Sequence, residues 1–269
     1  MTAPPRSPVL RFLAYTLSGV FLAAGAALAW YQVDRFLIRD PRFALATEEE
    51  TEEPAVLITG VKHASRERIL EPFQPDKGRS VYLLPLAARR EAILAVAWVR
   101  DATVTRIWPN HIAVHIAERR PVAFVQSGPT VQLLIDEEGV LLPLGDSGKF
   151  RLPVVIGVDS AQPVSDRRLR VRRLLRLQQE IGRQMEKVSE VDLSDLDNVK
   201  ITYPFKDRAM ILFLGHQHYA RRLKVFLDNV HEVAARFPGA RILDLRLDDR
   251  ITVVPESAPR RAPEGPRAE

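Results

Sequence analysis

The chain reads as an α+β protein in three parts: a single N-terminal transmembrane helix, a small domain of order β-α-α-β-β, and a mainly antiparallel β domain with flanking helices. Three observations predict this. Phe12 to Val33 is an uncharged run of about 22 residues, and at 1.5 Å per residue its helix measures about 33 Å, enough to cross a hydrocarbon core. From Val56 onward, alternating and helical hydrophobic periods succeed one another, as a folded unit with helices on one face of a sheet requires. From Pro121 the texture changes to short strand patterns parted by turn residues, with two long amphipathic helical patterns among them.

Residues 1–11 form a short N-terminus carrying Arg6 and Arg11, and residues 12–33 form the membrane helix. A basic start, an apolar run and Ala27-Leu28-Ala29 also resemble a cleavable secretory signal. The uncleaved anchor is the better reading, because the run continues through Trp30 and Tyr31, an aromatic pair suited to a membrane interface, before Asp34 and Arg35 arrive. Either reading exports the rest of the chain and leaves the N-terminus in the cytosol. Counting Lys and Arg does not settle orientation by itself, since Arg35, Arg39 and Arg42 face Arg6 and Arg11. Residues 34–55 read as an acidic spacer, because Glu48, Glu49, Glu50, Glu52 and Glu53 repel one another and bury nothing.

Residues 56–120 form the first exported domain. Val56, Ile58 and Val61 mark a short strand at Gly60-Val61, and Ser65 is a helix N-cap ahead of Ile69, Leu70 and Phe73. Pro85 opens a second helix, with Leu86, Ile93 and Leu94 inward and Arg89, Arg90 and Glu91 outward. Strands over Trp98–Ile107 and His111–Glu118 close the unit around a tight Trp108-Pro109-Asn110 link, with Ile112, Val114 and Ile116 on one face. Residues 121–254 form the second domain. Strands are predicted at Val122–Gln126, Val131–Asp136 and Val140–Leu142, the last pair joined by an Asp136-Glu137-Glu138-Gly139 turn. A helix follows over Ser165–Met185, with Leu169, Leu174, Ile181 and Met185 inward and Arg168, Arg170, Arg172, Arg173 and Arg176 outward. Strands at Val188–Leu193, Val199–Tyr203 and Ala209–Leu214 lead to a helix over Tyr219–Phe237, whose inward set ends at Phe237 and whose stop is Gly239. Ile242–Leu247 and Arg250–Val254 are the final strands, and the proline-rich, charged residues 255–269 are expected to be disordered.

Composition narrows function by exclusion. A chain 46% hydrophobic and 27% charged folds, and with no cysteine it has neither disulfides nor thiolate chemistry. The net charge of +5 comes without zinc-finger spacing, RNA-binding aromatic signatures or a phosphate loop, so an exported basic domain facing anionic lipid, wall polymer or acidic partners is favoured over nucleic acid. His111 and His115 are four strand residues apart, about 13 Å, too far to share a metal. His216 and His218 are close enough to share one, but no third ligand lies nearby in sequence. No catalytic, cofactor-binding or metal-ligating residue is singled out: serine-hydrolase, zinc-peptidase and nucleotide motifs all lack their minimal parts, and the carboxylates fall in turns. The arginine-rich helix face is either a solvated exterior or a surface for an acidic partner.

Trp98-Val99-Arg100-Asp101-Ala102-Thr103-Val104-Thr105-Arg106-Ile107-Trp108-Pro109, then Glu118-Arg119-Arg120-Pro121-Val122-Ala123, resembles the hallmark of the FtsQ/DivIB family of cell division proteins. Leu134-Ile135-Asp136 with Gly139, Leu152-Pro153 with Gly157, and Asp244-Leu245-Arg246 match further family landmarks in the same order. The resemblance implies a POTRA domain followed by an FtsQ-type β domain. It also implies a non-catalytic scaffold of the bacterial divisome, needing no cofactor and joining FtsB and FtsL-like proteins beneath the septal wall-synthesis machinery, with other divisome members reached through the POTRA domain. It implies residence in the inner membrane, in contact with its lipid, with the folded domains periplasmic and enriched at the septum. The family's strand-addition contact carries over to Arg246, Leu247, Arg250, Ile251, Thr252, Val253 and Val254. An exposed terminal strand makes this physically sensible, because its unpaired backbone groups accept an incoming strand. Trp98, Val99, Arg106, Trp108, Pro109, Glu118, Arg119 and Pro121 are expected to be structural. Leu247 stands where some relatives carry an aromatic residue. The competing readings are a POTRA-bearing secretion or transport adaptor and an envelope enzyme of wall metabolism.

Overall fold

A computed structural model describes residues 8–46, 54–127, 131–144, 150–248 and 250–255. The acidic cluster of the expected spacer, within residues 47–53, and residues 256–269 of the expected tail lie outside the described residues. The chain divides into two compact units, Met1–Glu118 and Arg119–Glu269.

The first unit begins with helix α1, Pro8–Arg39, which carries the uncharged run and continues past it. Among the described residues this is the one helix long and apolar enough to cross a membrane, over Tyr15–Arg39 with mean hydropathy 1.3. Phe12, Phe21, Leu22 and Trp30 are all exposed along it, the pattern of a helix solvated by lipid rather than packed in a core. After α1, Asp40 caps a 3-10 turn at Pro41–Phe43, accepting from the Arg42 backbone N–H at 3.0 Å and pairing with its guanidinium. The chain then runs beside residues 78–80, where Leu45 donates to Arg79 O and accepts from Gly78 N.

Strand β1 is Val56–Thr59, helices α2 and α3 are Arg66–Leu70 and Leu86–Leu94, and strands β2 and β3 are Val99–Ile107 and His111–Glu118. The sheet order is β1-β3-β2, with β3 central, parallel to β1 and antiparallel to β2. Ile112, Val114 and Ile116 alternate onto the buried face of β3, and Ile69, Phe73, Val81 and Ile93 of the helical segments are buried as well. Ser65 caps α2 through Arg68 N. Arg89, expected outside, instead forms a bidentate pair with fully buried Asp76 at 2.6 and 2.9 Å. A buried carboxylate is tolerable only with such a partner. Gly60 turns the chain out of β1 with φ +84°, and a Cβ there would meet Ile116 O at 2.1 Å, so no other residue fits.

The second unit is one nine-stranded sheet. Its strands are β4 Pro121–Ser127, β5 Val131–Asp136, β6 Leu141–Pro143, β7 Val154–Ile156, β8 Glu190–Asp192, β9 Val199–Phe205, β10 Arg208–Gly215, β11 Ile242–Asp244 and β12 Thr252–Val254. Their spatial order is β12-β11-β10-β9-β8-β7-β4-β5-β6, with parallel pairs at β10–β11, β7–β8 and β4–β7 and antiparallel pairs elsewhere. Helices α4 (Val164–Ile181) and α5 (Tyr219–Arg236) supply Val171, Leu174, Leu177, Leu223, Phe226 and Val230 to the core with Val125, Val155, Val191, Ile201 and Leu212 of the sheet.

Several sequence expectations shift here. Strand β7 was not predicted: three residues, Val154–Ile156, show too little alternation, and parallel neighbours on both sides make the strand. The first long helix stops at Ile181, where Gly182 takes φ +54° and a 3-10 turn follows to Lys187. Leu169, expected inward, is 53% exposed, because the buried stripe runs through Arg167, Val171 and Leu174 instead. Phe237 is also exposed, and α5 ends at Arg236 ahead of Pro238, which has no N–H to continue it, so Gly239 is not the stop. The last two strands are shorter than expected: Arg246, Leu247, Arg250 and Ile251 fall outside β11 and β12.

Candidate functional site

The candidate site lies at one edge of the nine-stranded sheet. Among the described residues β12 is its terminal strand and pairs with β11 alone, in the register Ile242↔Val254, Leu243↔Val253 and Asp244↔Thr252. The hydrogen bonds of β11 to β10 identify which β12 groups are free. Ile211 N donates to Arg241 O at 2.8 Å and Leu245 N donates to Phe213 O at 3.0 Å, so the odd-numbered residues of this segment turn their backbone groups toward β10. Ile242 and Asp244 therefore face β12 and bond to Val254 and Thr252. That leaves the N–H and C=O of Val253 turned to the open edge. The side chains alternate in the other plane: Ile251 and Val253 pack on the core and Thr252 is exposed.

Arg246 is already engaged. It holds Asp244 through its Nε and Nη2 atoms at 2.9 and 2.6 Å, while Asp244 Oδ1 accepts from Arg246 N at 3.0 Å. The guanidinium holds the Asp244 carboxyl below its ordinary range, and the carboxylate raises Arg246 in return. Arg246 also lies 6.0 Å above the Phe213 ring, with Lys200 5.5 Å from the same ring. Leu247 is 56% exposed beside this pair. Arg222, which the sequence did not single out, is buried under the turn, donating to Asp248 at 2.9 Å and Leu214 O at 2.6 Å, with His218 and Arg221 on the same carboxylate. Its signal was a basic residue on the apolar stripe of α5.

The remaining landmark residues lie in the first unit and at the start of the second. Trp98 and Val99 are buried, the Trp98 ring 4.9 Å from that of His63. Arg106 donates to the carbonyls of Val81, Tyr82 and Leu84, tying the end of β2 to a 3-10 turn at Val81–Leu83. Trp108 and Pro109, joined by a cis peptide, form the β2–β3 tip, with Trp108 51% exposed. Glu118 Oε1 accepts three backbone N–H groups, from Lys62, His63 and Ala64, at 2.7 to 2.8 Å. Burial opposes its charge, but those three bonds and His63 together bring its pKa down. Arg119 pairs with Asp136 and Glu138, both at 2.7 Å, and Pro121 sits opposite Asp136 at the start of β4. Burial works against the Arg119 cation, and the two carboxylates more than offset it, raising its pKa. No group of three metal-ligating side chains comes together among the described residues.

Residues 55–119 match the family model described as "POTRA domain, FtsQ-type". Over 253 residues, 92% of this chain and 71% of the relative, the sequence is 33% identical to the "Cell division protein FtsQ" of Koribacter versatilis. The proteins of the same name from Novosphingobium aromaticivorans and Myxococcus fulvus are 29% and 32% identical, over 97% and 68% of this chain and 84% and 63% of their own lengths. With likeness on that scale over most of its length, and one helix long and apolar enough to cross a membrane among the described residues, the chain belongs to the FtsQ family of cell division proteins.

Proposed function

We propose that this protein is a non-catalytic scaffold of the divisome that captures a partner by adding a strand to β12. The observation that carries this reading is the backbone of Val253, turned away from β11 on the strand that is outermost among the described residues. A sheet edge binds an extended segment through its main chain and needs no catalytic group. FtsB, with FtsL, is the partner the family resemblance points to, and other divisome members are assigned to the POTRA domain. Arg246, Leu247, Arg250 and Ile251 flank the edge and bear on partner choice rather than on the ladder. Because Arg246 is satisfied by Asp244, an acidic partner residue would have to compete for it, which favours specificity and association rate over affinity.

The N-terminus is placed in the cytoplasm, with both folded units periplasmic in the inner membrane and concentrated at the septum. A fluorescent fusion of the full chain tests the cellular half of the proposal: recruitment to the division site is expected, and uniform labelling of dividing cells refutes it. Co-purification of the full chain with FtsB and FtsL from the same bacterium tests the molecular half.

A further inference from the structure

The first unit carries a surface that strand addition does not use. Phe36 on α1, Phe43 in the following turn and Trp108 at the β2–β3 tip form a series of edge-to-face rings, with centroids 5.4 and 5.8 Å apart. This cluster is not a core, because Phe36, Trp108 and the adjacent Ile107 and Leu83 are all exposed. Ser80 Oγ donates to Leu37 O at 2.6 Å and Arg106 binds the 81–84 carbonyls, so the hairpin tip, the 3-10 turn and the end of α1 are fixed to one another. Arg42 lies 5.5 Å over the Phe36 ring, and Arg35 and Arg39 are exposed on the last turns of α1.

The membrane helix sets the depth of this cluster. Phe36 follows Val33, the end of the uncharged run, by about 4.5 Å of helix rise, and the headgroup layer extends roughly 5 to 7 Å beyond the hydrocarbon. Phe36 therefore stands in the headgroup layer when the run spans the bilayer. Ser80 bonds Leu37, one residue beyond Phe36, and Arg106 and the two ring contacts hold the β2–β3 tip against that turn and the end of α1, so Trp108 is tied to the level of the layer. We propose that Trp108, Ile107 and Leu83, with Phe36 and Phe43 behind them, form a second membrane contact. This foot seats the POTRA domain on the phospholipid interface beside its own transmembrane helix. Trp is the side chain best suited to that layer, and Arg35 and Arg39 are placed to meet lipid phosphates, while Arg42 is held by Asp40. Attachment at two points fixes the tilt of helix and domain together against the bilayer, where a spanning helix alone is free to tilt.

The test uses the full chain in vesicles of phosphatidylethanolamine and phosphatidylglycerol carrying bromine on the acyl chains near the carbonyl. In a Trp30→Phe background, which removes the tryptophan of the spanning run, emission should be quenched, and adding Trp108→Phe should abolish the quenching because Trp98 is buried. Equal quenching in the two proteins, or none in either, overturns the proposal. The absence of cysteine allows a second measurement with Trp108 intact. A polarity-sensitive dye on Asn110→Cys should emit as in an apolar setting, while one on Lys62→Cys, about 25 Å away along β3, should emit as in water. Identical water-like emission from both sites also overturns it.

Discussion

Glu118 and Arg119 are neighbours in sequence with opposite duties. The carboxylate of Glu118 gathers the three N–H groups of the turn after β1, and the guanidinium of Arg119 closes on Asp136 and Glu138 in the first hairpin of the second unit. The pair was visible as a motif, but its contacts, more than 50 residues back for Glu118, were not. Replacing Glu118 by Ala strands three donors and should cost about 2–3 kcal/mol in urea unfolding of the full chain in detergent. Because the folded pKa of Glu118 lies below its unfolded value near 4.3, its stabilisation is complete above about pH 4.3 and is lost as pH falls through the depressed value. A Glu118→Gln protein should accordingly show a shallower loss of stability on acidification than wild type. Gly60→Ala combines positive φ with a backbone clash and should cost at least about 3 kcal/mol by the same assay.

At the scale of elements, the edge strand and α4 give the sharpest tests. Val253→Pro removes an outward donor while leaving the bonds of Thr252 and Val254 to β11, so it should lower the urea midpoint no further than Val253→Ala does, while partner affinity falls at least about tenfold below that of Val253→Ala. Thr252→Pro removes an inward donor and should loosen β12 itself, lowering both. If Val253→Pro binds the partner like wild type, the added strand lies elsewhere. On α4, Leu174→Ala should cost about 2–5 kcal/mol, whereas Leu169→Ala should stay within about 0.5 kcal/mol, since Leu174 is buried and Leu169 is not. Periodicity found both helices, yet it misjudged Leu169 because an arginine-rich stripe hides its own phase. Arg167 belongs to the buried side, where its guanidinium reaches the carbonyls of Gly139, Ser160 and Gln162.

At the scale of the whole molecule, an apolar N-terminal helix, a POTRA domain and a sheet with an open edge among the described residues are the parts that the proposed scaffold role calls for. Depletion should leave cells elongated and undivided, and full-length Val253→Pro should rescue division less well than wild type while accumulating to the same level. Normal division after depletion, read by cell length, removes the divisome role.

The apolar helix, the β-α-α-β-β order, the turns at Gly60 and Gly139 and the family were legible before folding, because these rest on local periods, steric demands and contiguous motifs. Folding alone reveals that β7 exists and that Val253 rather than Thr252 offers its backbone to the edge, whereas the Asp244–Arg246 pair, two residues apart, was already open to the sequence. Phe36, Phe43 and Trp108 likewise meet only after folding. The physical reason is common to these three. Strand pairing and ring contacts are settled between residues that share no local period, so they become readable only when the chain has closed on itself.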